Sequence, residues 1–325
     1  MKVAVTGASG HIGNCLVEKL KKQGARIKVL VHDSRSFLDK MDVELIHGNL
    51  SNPEALNKLC EGVDVVFHLA AQIAIENKSA TQIYETNVTG TKNIIKAANY
   101  AGVRKFIHFS SIHAFQIGSP GQVLDESTSL VEASKTIYEF TKAEGEREVV
   151  KAAKEGLNAV ILNPTAVIGP FDYRGSLLGQ AILKIYQNKL PFLVSGGYNW
   201  VDVRDVVSAS LHSIESGRRG ENYILSGEYC SLHELSEMIS KISGCKIPLI
   251  VPVSLARLAC PFFKVFSSVT KKSPLYTYQS LEILVNSPVN ISNAKAKKEL
   301  GYKPRPLEQT LEDTFDWYKE NDFIN

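Results

Sequence analysis

Short apolar runs alternate with amphipathic segments along the first half of the chain. Apolar runs that predict strands stand at 2–6, 26–32, 43–48, 64–71, 105–111 and 158–164. Apolar residues at helical spacing, which predict helices, stand between them at about 12–24, 52–62, 79–101 and 134–155. Strands and helices that alternate in this way predict an α/β fold with a doubly wound parallel sheet.

The second half of the chain follows a looser pattern. Helical spacing recurs near 176–188, 204–216, 231–242 and 307–320, and a strand is predicted at 221–227. A Pro- and Gly-rich stretch at 163–175 is the predicted linker between the halves. We therefore expect a sheet domain at 1–165, partly interwoven with later segments. A smaller, mostly helical substrate-binding lobe at 166–325 would cover the carboxyl ends of the strands.

Composition and charge exclude several classes of function. The 44% of hydrophobic and 22% of charged residues are typical of a globular protein, and a net charge of +3 is too small to indicate nucleic acid as a partner. The five cysteines stand far apart, which favours a reducing compartment, and neither they nor the eight histidines have the spacing of metal ligands. The first residues, MKVAVTGASG, show no targeting pattern, so we expect a cytoplasmic protein.

The apolar stretch at 247–269 comes nearest to a membrane span. Three prolines, Arg257 and Lys264 interrupt it, which predicts against a span. Two interpretations stay open for this stretch. It is either a buried or covering segment over an apolar pocket, or a contact with a membrane interface.

Three glycines connect the first predicted strand to the first predicted helix. Gly7, Gly10 and Gly13 have the spacing G-x-x-G-x-x-G. In this context the first glycine permits a tight turn, the second lets the backbone approach a pyrophosphate, and the third lets the helix pack close to the sheet. The loop therefore predicts a dinucleotide site on a sheet of the Rossmann type.

Tyr138 and Lys142 stand four residues apart in a predicted helix. Taken alone, this spacing more often marks an ordinary pair on a helix surface. The alternative is a proton donor beside its electrostatic partner, and the choice depends on the rest of the chain.

Six short motifs occur in an order that resembles a known family. They are TGASGHIG (6–13), HLAA (68–71), NVTGT (87–91), HFSS (108–111), YEFTK (138–142) and NPTAVIGP (163–170). Together they resemble the extended short-chain dehydrogenase/reductases of the NAD-dependent epimerase/dehydratase superfamily, over nearly the whole chain. The resemblance implies an enzyme that transfers hydride between a nicotinamide cofactor and a carbonyl or alcohol carbon of a small molecule.

The resemblance also implies the catalytic roles. Tyr138 is expected to be the general acid or base on the substrate oxygen, and Ser111 to hydrogen-bond the same oxygen. Lys142 is expected to lower the pKa of the phenol, together with the cationic nicotinamide, and to hold the nicotinamide ribose. Asn87 either organises backbone and water near the site or caps a helix.

The tip of the second strand decides between NAD and NADP. An acidic residue there would bind the ribose 2′-hydroxyl, but the position is His32, and Ser34 and Arg35 follow it, so a 2′-phosphate would find partners. Asp33 opposes this interpretation; we favour NADP, with NAD as the alternative. The full set of cofactor-binding residues that the resemblance implies is Gly7, Ser9, Gly10, His11, Ile12, His32, Arg35, Asn49, Leu50, Leu69, Ala70, Ala71, Asn87, Tyr138, Lys142, Pro164, Thr165 and Val167.

Two positions indicate the class of substrate. Nucleotide-sugar enzymes of the family commonly carry arginines where this chain has the loop GGYNW (196–200) and Asn163, and a diphosphate without them would be poorly bound. The motifs NPTAVIGP and GGYNWVDVRDV instead resemble dihydroflavonol-4-reductases and 3β-hydroxysteroid dehydrogenases, which act on apolar ketones or alcohols. Candidate pocket residues are Ile73, His113, Phe115, Tyr173 and Trp200, each with a core or surface role as the alternative.

Two other functions stay open. One is a nucleotide-sugar epimerase or dehydratase, and the other is a non-catalytic regulator that senses the cofactor on the same fold. A homodimer through helices at about 88–101 and 134–155 is expected by analogy with the family alone.

Overall fold

The computed structural model of the chain describes residues 1–32, 38, 41–73, 79–118, 121–133, 136–258, 278–285 and 287–324. Asp33, Ser34 and Arg35, which the NADP prediction uses, lie outside these ranges, and so does the end of the apolar stretch, from 259 to 269.

The predicted alternation of strands and helices is confirmed. The strands are β1 (Lys2–Thr6), β2 (Arg26–Val31), β3 (Glu44–His47), β4 (Val65–His68), β5 (Lys105–Phe109), β6 (Ala159–Pro164), β7 (Ala166–Ile168), β8 (Phe192–Val194), β9 (Gly197–Asp202), β10 (Asn222–Leu225), β11 (Glu228–Ser231) and β12 (Leu249–Val251). The main α-helices are α1 (His11–Lys22), α2 (Pro53–Cys60), α3 (Ala80–Tyr84), α4 (Gly90–Ala101), α5 (Ile137–Lys154), α6 (Leu177–Tyr186), α7 (Val203–Ser216), α8 (Leu232–Ser243), α9 (Tyr278–Val285), α10 (Ala294–Leu300) and α11 (Leu307–Glu320). A π-helix (Glu85–Thr89) joins α3 to α4, and a 3₁₀-helix (Ile112–Ala114) follows β5.

Seven parallel strands form the main sheet, in the order β10, β6, β5, β4, β1, β2, β3. The order reverses beside β1, since β2 lies on one side of it and β4 on the other. In doubly wound sheets, ligands bind in the crevice outside the carboxyl ends of the strands at this reversal. The fold therefore places the glycine loop after β1 at the point where a dinucleotide is expected.

Two apolar layers cover the main sheet because its central strands are buried on both faces. One layer packs α1, α7 and α10 on the sheet, and the other packs α2, α4 and α5 on the opposite face. Three of these elements, α7, α10 and β10, come from the chain after residue 165. The later part of the chain thus contributes to the core of the main sheet.

The second lobe contains more strand than the sequence predicts. β7, β9 and β11 form a three-stranded sheet, and β8 and β12 form a two-stranded parallel sheet. The stretch 196–200, predicted as a loop, is mostly part of β9, which pairs antiparallel with β11. The prediction was wrong because two glycines and Asn199 interrupt the apolar pattern, while pairing with a distant strand fixes the extended backbone.

The described part of the apolar stretch, 247–258, contains β12 and a helical segment at 253–258. Ala256 packs into the core of the lobe, whereas Leu249 and Leu258 are 67% and 71% exposed. These residues do not line the large cavity described below, so the predicted cover is not formed by them. Among the helices of the described residues, none combines the length and apolar composition that crossing a membrane requires.

Candidate active site

The glycine loop follows β1 and leads into α1. Gly7 has φ +74°, and a Cβ on it would lie 2.6 Å from the backbone nitrogen of Ala70. A Cβ on Gly13 would lie 2.2 Å from the carbonyl oxygen of Gly7, so the helix can approach the loop only without a side chain there. The N-terminal amides of α1 have no side-chain cap and no acidic residue in the first turn. Free amides at a helix N-terminus beside a bare backbone fit a pyrophosphate.

His68 on β4 hydrogen-bonds residues of β1 and α4 beneath the glycine loop. Its Nδ1 lies 2.7 Å from Thr6 Oγ1 on β1, and its Nε2 lies 3.0 Å from Thr91 Oγ1 on α4. Burial, with a smaller contribution from Lys142, lowers the pKa of His68 to about 3, so the ring is neutral at working pH. A neutral imidazole that hydrogen-bonds two hydroxyl groups holds β1, β4 and α4 in register. The sequence analysis did not identify this role, although His68 stands in one of the six motifs.

Ser111 and Tyr138 meet at the carboxyl end of β5. Ser111 caps the 3₁₀-helix, where its Oγ accepts a hydrogen bond from the His113 amide at 3.2 Å. Tyr138 stands in the first turn of α5, and its side chain is hydrogen-bonded to Ser111. Burial raises the pKa of Tyr138, and the hydrogen bond with Ser111 acts in the opposite direction. The phenol therefore stays protonated at neutral pH in this structure and can donate a proton.

Lys142 lies one helical turn after Tyr138 and is almost completely buried. Its Nζ donates a 2.8 Å hydrogen bond to the carbonyl oxygen of Phe109, the last residue of β5. Burial lowers the pKa of Lys142 to about 8, and the charge of Glu146 opposes that shift. The ammonium is thus fixed beside the strand that carries Ser111. The causes of the Tyr138 pKa shift do not include Lys142, so the predicted lowering of the phenol pKa by Lys142 stays a prediction.

Asn87 lies inside the π-helix, within one continuous helical run. Its Oδ1 accepts from the Gln72 amide at 2.7 Å, and its Nδ2 donates to the Gln72 carbonyl at 3.0 Å and to Thr141 Oγ1 at 3.0 Å. The side chain therefore hydrogen-bonds both the amide and the carbonyl group of Gln72 in the segment after β4. Of the two roles predicted for Asn87, the helix cap is wrong, since Ser79 caps this run with a capping box.

A cavity of about 600 Å³ joins the glycine loop to the second lobe. One wall carries residues from the main sheet and its loops. The facing wall is apolar and includes Ile182, Leu193, Leu235 and Leu284. The predicted site residues that line the cavity are Gly7, Gly10, His11, Ile12, Leu69, Ala71, Ile73, Ser111, His113, Tyr138, Lys142, Pro164, Thr165, Val167 and Trp200.

The remaining described candidates lie elsewhere. Phe115 is buried in a small core cluster and bridges to Leu130, so it does not line the cavity. Tyr173 packs edge-on against Trp317 at 5.0 Å, also outside the cavity lining. The local pattern did not distinguish these two aromatic residues from pocket residues. The predicted cofactor-binding residues that do not line the cavity are Ser9, His32, Asn49, Leu50, Ala70 and Asn87.

Comparisons with known proteins agree with this architecture. The NAD dependent epimerase/dehydratase family matches residues 3–226. Sterol demethylase protein B of Methylococcus capsulatus is 31% identical to the chain and covers 100% of both proteins. A putative dihydroflavonol 4-reductase of Synechocystis is 30% identical and covers 98% of this chain and 95% of the relative.

A solved structure extends the likeness to three dimensions. The crystal structure of gox2253 superposes with a TM-score of 0.85 at 32% identity, over 100% of this chain and 99% of the other. The ordered motifs, the sheet that they build and the match over most of the length lead to one conclusion. The chain belongs to the NAD dependent epimerase/dehydratase family.

Proposed function

We propose that the chain is an oxidoreductase that interconverts a ketone and a secondary alcohol of an apolar small molecule, with NADP as the preferred cofactor. The observation that carries the proposal is the single cavity in which Tyr138 and Ser111 face an apolar wall. Catalytic pockets of this kind combine a mainly apolar lining with a few polar groups that fix one reacting oxygen.

The roles of the polar groups follow from their contacts. A bound nicotinamide would supply or accept the hydride, and the glycine loop with the N-terminus of α1 fits its pyrophosphate. In the direction of reduction, Tyr138 donates its proton to the substrate oxygen while Ser111 hydrogen-bonds the same atom. The phenolate that remains is stabilised by the Ser111 hydroxyl and regains a proton from solvent. The ammonium of Lys142, held one helical turn away by the Phe109 carbonyl, would add to this stabilisation.

The second wall supports an apolar substrate. Ile182, Leu193, Leu235 and Leu284 are each at most 3% exposed, although they line the cavity. A ring system or alkyl chain placed against them would leave water without losing hydrogen bonds. The names of the two relatives, a sterol-metabolising protein and a putative dihydroflavonol reductase, agree with this class of substrate.

The residues that stand where sugar-nucleotide enzymes carry arginine make hydrogen bonds within the chain. Asn163 donates to Glu146 at 2.8 Å, and Asn199 accepts from the Gly227 amide at 2.8 Å. Arg174 lines the cavity, but it is exposed at the rim. An epimerase or dehydratase acting on a nucleotide sugar remains the second candidate because the family contains such enzymes.

A substrate screen separates the two candidates. The protein is mixed with NADPH and a panel of apolar ketones, and separately with UDP-glucose, and absorbance at the nicotinamide band and sugar products are measured. We expect cofactor oxidation with at least one ketone and no conversion of the sugar nucleotide. Conversion of UDP-glucose without ketone reduction would overturn the proposal.

Cofactor preference is tested by binding. Titrations with NADPH and NADH on the wild type and on Arg35→Ala should show tighter binding of NADPH, with the preference lost in the variant. An equal or stronger affinity for NADH in the wild type would show that His32 and its neighbours do not bind a 2′-phosphate.

A further inference from the structure

Three ionisable side chains lie in a row along one face of α5. Tyr138, Lys142 and Glu146 follow each other at intervals of four residues, so each lies one turn beyond the last. Glu146 is 1% exposed and Lys142 is 5% exposed. A carboxylate without water is costly unless hydrogen bonds and an opposite charge compensate it, so this buried glutamate needs an explanation.

The neighbouring elements give the carboxylate two amide partners. Glu146 Oε2 accepts from Asn163 Nδ2 on β6 at 2.8 Å, and Oε1 accepts from Asn222 Nδ2 on β10 at 3.3 Å. Amides donate hydrogen bonds without neutralising the charge. Burial raises the pKa of the Glu146 carboxyl, and the hydrogen bonds from Asn163 and Asn222 and the charge of Lys142 are among the causes that lower it. In its ionised form the carboxylate acts on the ammonium of Lys142, which lies on the same helix face.

The same amide reaches the serine of the site. Asn163 Nδ2 also donates to the carbonyl oxygen of Ser111 at 3.2 Å. Glu146 is thus connected by one side chain to the backbone that carries the Ser111 hydroxyl, and by charge to Lys142. Both residues act on Tyr138 in the proposed reaction.

We propose that Glu146 is a positioning residue of the site: its buried carboxylate keeps Lys142 protonated and, through Asn163, holds Ser111 in place. The role of Glu146 in catalysis rests on the proposed function, whereas the effect of its charge on the pKa of Lys142 does not. Among the residues that the structure describes, Glu146 is the ionisable group whose charge raises the pKa of Lys142. His68 on β4 and His108 on β5 also interact with Lys142, and burial lowers the pKa of both, so they carry no charge at neutral pH.

The charges determine the direction in which the pKa of Lys142 moves when the charge of Glu146 is removed. Burial holds the pKa of Lys142 at about 8, and the negative charge of Glu146 raises it. Removal of that charge leaves burial unopposed, so the ammonium loses its proton at a lower pH. Side chains four residues apart on a helix are neighbours, and an opposite charge at about 4–6 Å typically moves a pKa by about 1–3 units.

The experiment reads Lys142 directly. The protein is made with lysines labelled with ¹³C at Cε, and the pH midpoint of Lys142 is followed by NMR, with its signal identified by its absence in Lys142→Gln. In Glu146→Gln we expect the midpoint to fall by about one pH unit or more. Glu144→Gln is the matched control: it is the same substitution on the same helix, at a residue that pairs with Arg147 instead. An unchanged midpoint in Glu146→Gln, or an equal shift in Glu144→Gln, would overturn the proposal.

Two further variants guard against a misfolded protein. Glu146→Gln combined with Asn163→Asp keeps one carboxylate at the same junction and is expected to restore most of the Lys142 midpoint. The new carboxylate cannot donate to the Ser111 carbonyl oxygen, so this variant tests the effect on Lys142 alone. Glu146→Asp keeps the charge on α5 and should shift the midpoint less than Glu146→Gln does. If Glu146→Gln alone unfolds, the double variant with Asn163→Asp decides the question. A Lys142 midpoint equal to that of the wild type supports the proposal, and a midpoint lower by about one pH unit overturns it. The titration needs no substrate, so a failure to find a ketone substrate would sink the proposed function and leave this result standing.

Discussion

The two walls of the cavity are built in different ways. The wall on the main sheet consists of backbone, glycines and a few hydrogen-bonded polar groups, and nearly all of it comes from short motifs at strand ends. The wall on the second lobe includes leucine and isoleucine side chains from four separate elements, among them α6, β8 and α8, together with Tyr198 and Trp200 of β9. Under the proposed function, the first wall fixes the reacting groups and the second wall selects the substrate. Substitutions in the two walls should therefore have separable effects on chemistry, cofactor and substrate.

The largest effect is expected on the polar wall, at the proton donor. In the proposed reaction the Tyr138 hydroxyl protonates the substrate oxygen, so in Tyr138→Phe kcat should fall by about 10²–10⁴-fold while cofactor affinity stays within a few-fold. Tyr100→Phe is the control, because Tyr100 is 87% exposed at the end of α4. Steady-state rates with the same ketone measure both. A Tyr138→Phe protein with normal turnover would mean that this tyrosine is not the acid.

The glycine loop gives the next largest effect. Gly7 and Gly24 have almost the same backbone, with φ +74° and +73°, but only a Cβ on Gly7 meets atoms, the nearest at 2.6 Å. Gly24→Ala should cost about 1 kcal/mol of unfolding free energy from the left-handed backbone alone. Gly7→Ala should cost more than this and should weaken dinucleotide binding by roughly 100-fold, since the loop must move away from Ala70. Denaturant unfolding and cofactor titration test the pair, and equal effects of the two substitutions would contradict the role of close packing.

The apolar wall should respond differently. Leu193 on β8 is 2% exposed and lines the cavity, whereas Leu249 on the adjacent β12 is 67% exposed. Leu193→Ala should lower kcat/KM for an apolar ketone about tenfold and unfolding free energy by about 2–4 kcal/mol, with cofactor affinity unchanged. Leu249→Ala should change kcat/KM and the unfolding free energy only slightly. Equal losses for short polar and bulky apolar ketones would show that this wall does not select the substrate.

The smallest effect is a change of slope with pH. Since the pKa of Lys142 is lowered to about 8, its ammonium is charged below that pH and neutral above it. Burial raises the pKa of Tyr138, so the phenol remains protonated over this range. Ketone reduction should therefore decline above pH 8, by up to about tenfold per unit. Lys142→Arg, whose guanidinium stays charged, should have lower activity but no decline between pH 8 and 9.5. A wild-type rate that is flat over this range would show that charge on Lys142 is not required.

The sequence singled out many residues that line the polar wall because their signals are local, while their roles stay predictions. The glycine triplet, the strand ends and the Tyr138–Lys142 spacing each lie within a few residues and recur in a fixed order. The residue behind the polar wall that escaped prediction has distant partners. Glu146 has the same four-residue spacing from Lys142, but its buried carboxylate is hydrogen-bonded by Asn163 and by Asn222, which is 76 residues away.

The apolar wall could not be derived in the same way. Leu193, Leu235 and Leu284 are ordinary core residues by pattern, and only the packing of separate elements brings them to one cavity. Phe115 shows the reverse case, since an aromatic residue near the site is used for packing alone. Strand β9 was missed because its extended form depends on pairing with β11. Contacts that depend on long-range packing leave no local periodicity to detect.

The position of Asn222 in the sequence affects the order in which the site can form during synthesis on the ribosome. All the local motifs of the site are synthesised by residue 170, but the carboxylate of Glu146 obtains its second amide only from β10. At ordinary rates of translation, roughly 3–11 s separate residue 165 from residue 222. During that interval β6 is an edge of the nascent sheet, and Glu146 lacks the hydrogen bond from Asn222. Completion of the hydrogen bonds around Glu146 therefore waits for a strand that carries none of the proposed catalytic residues.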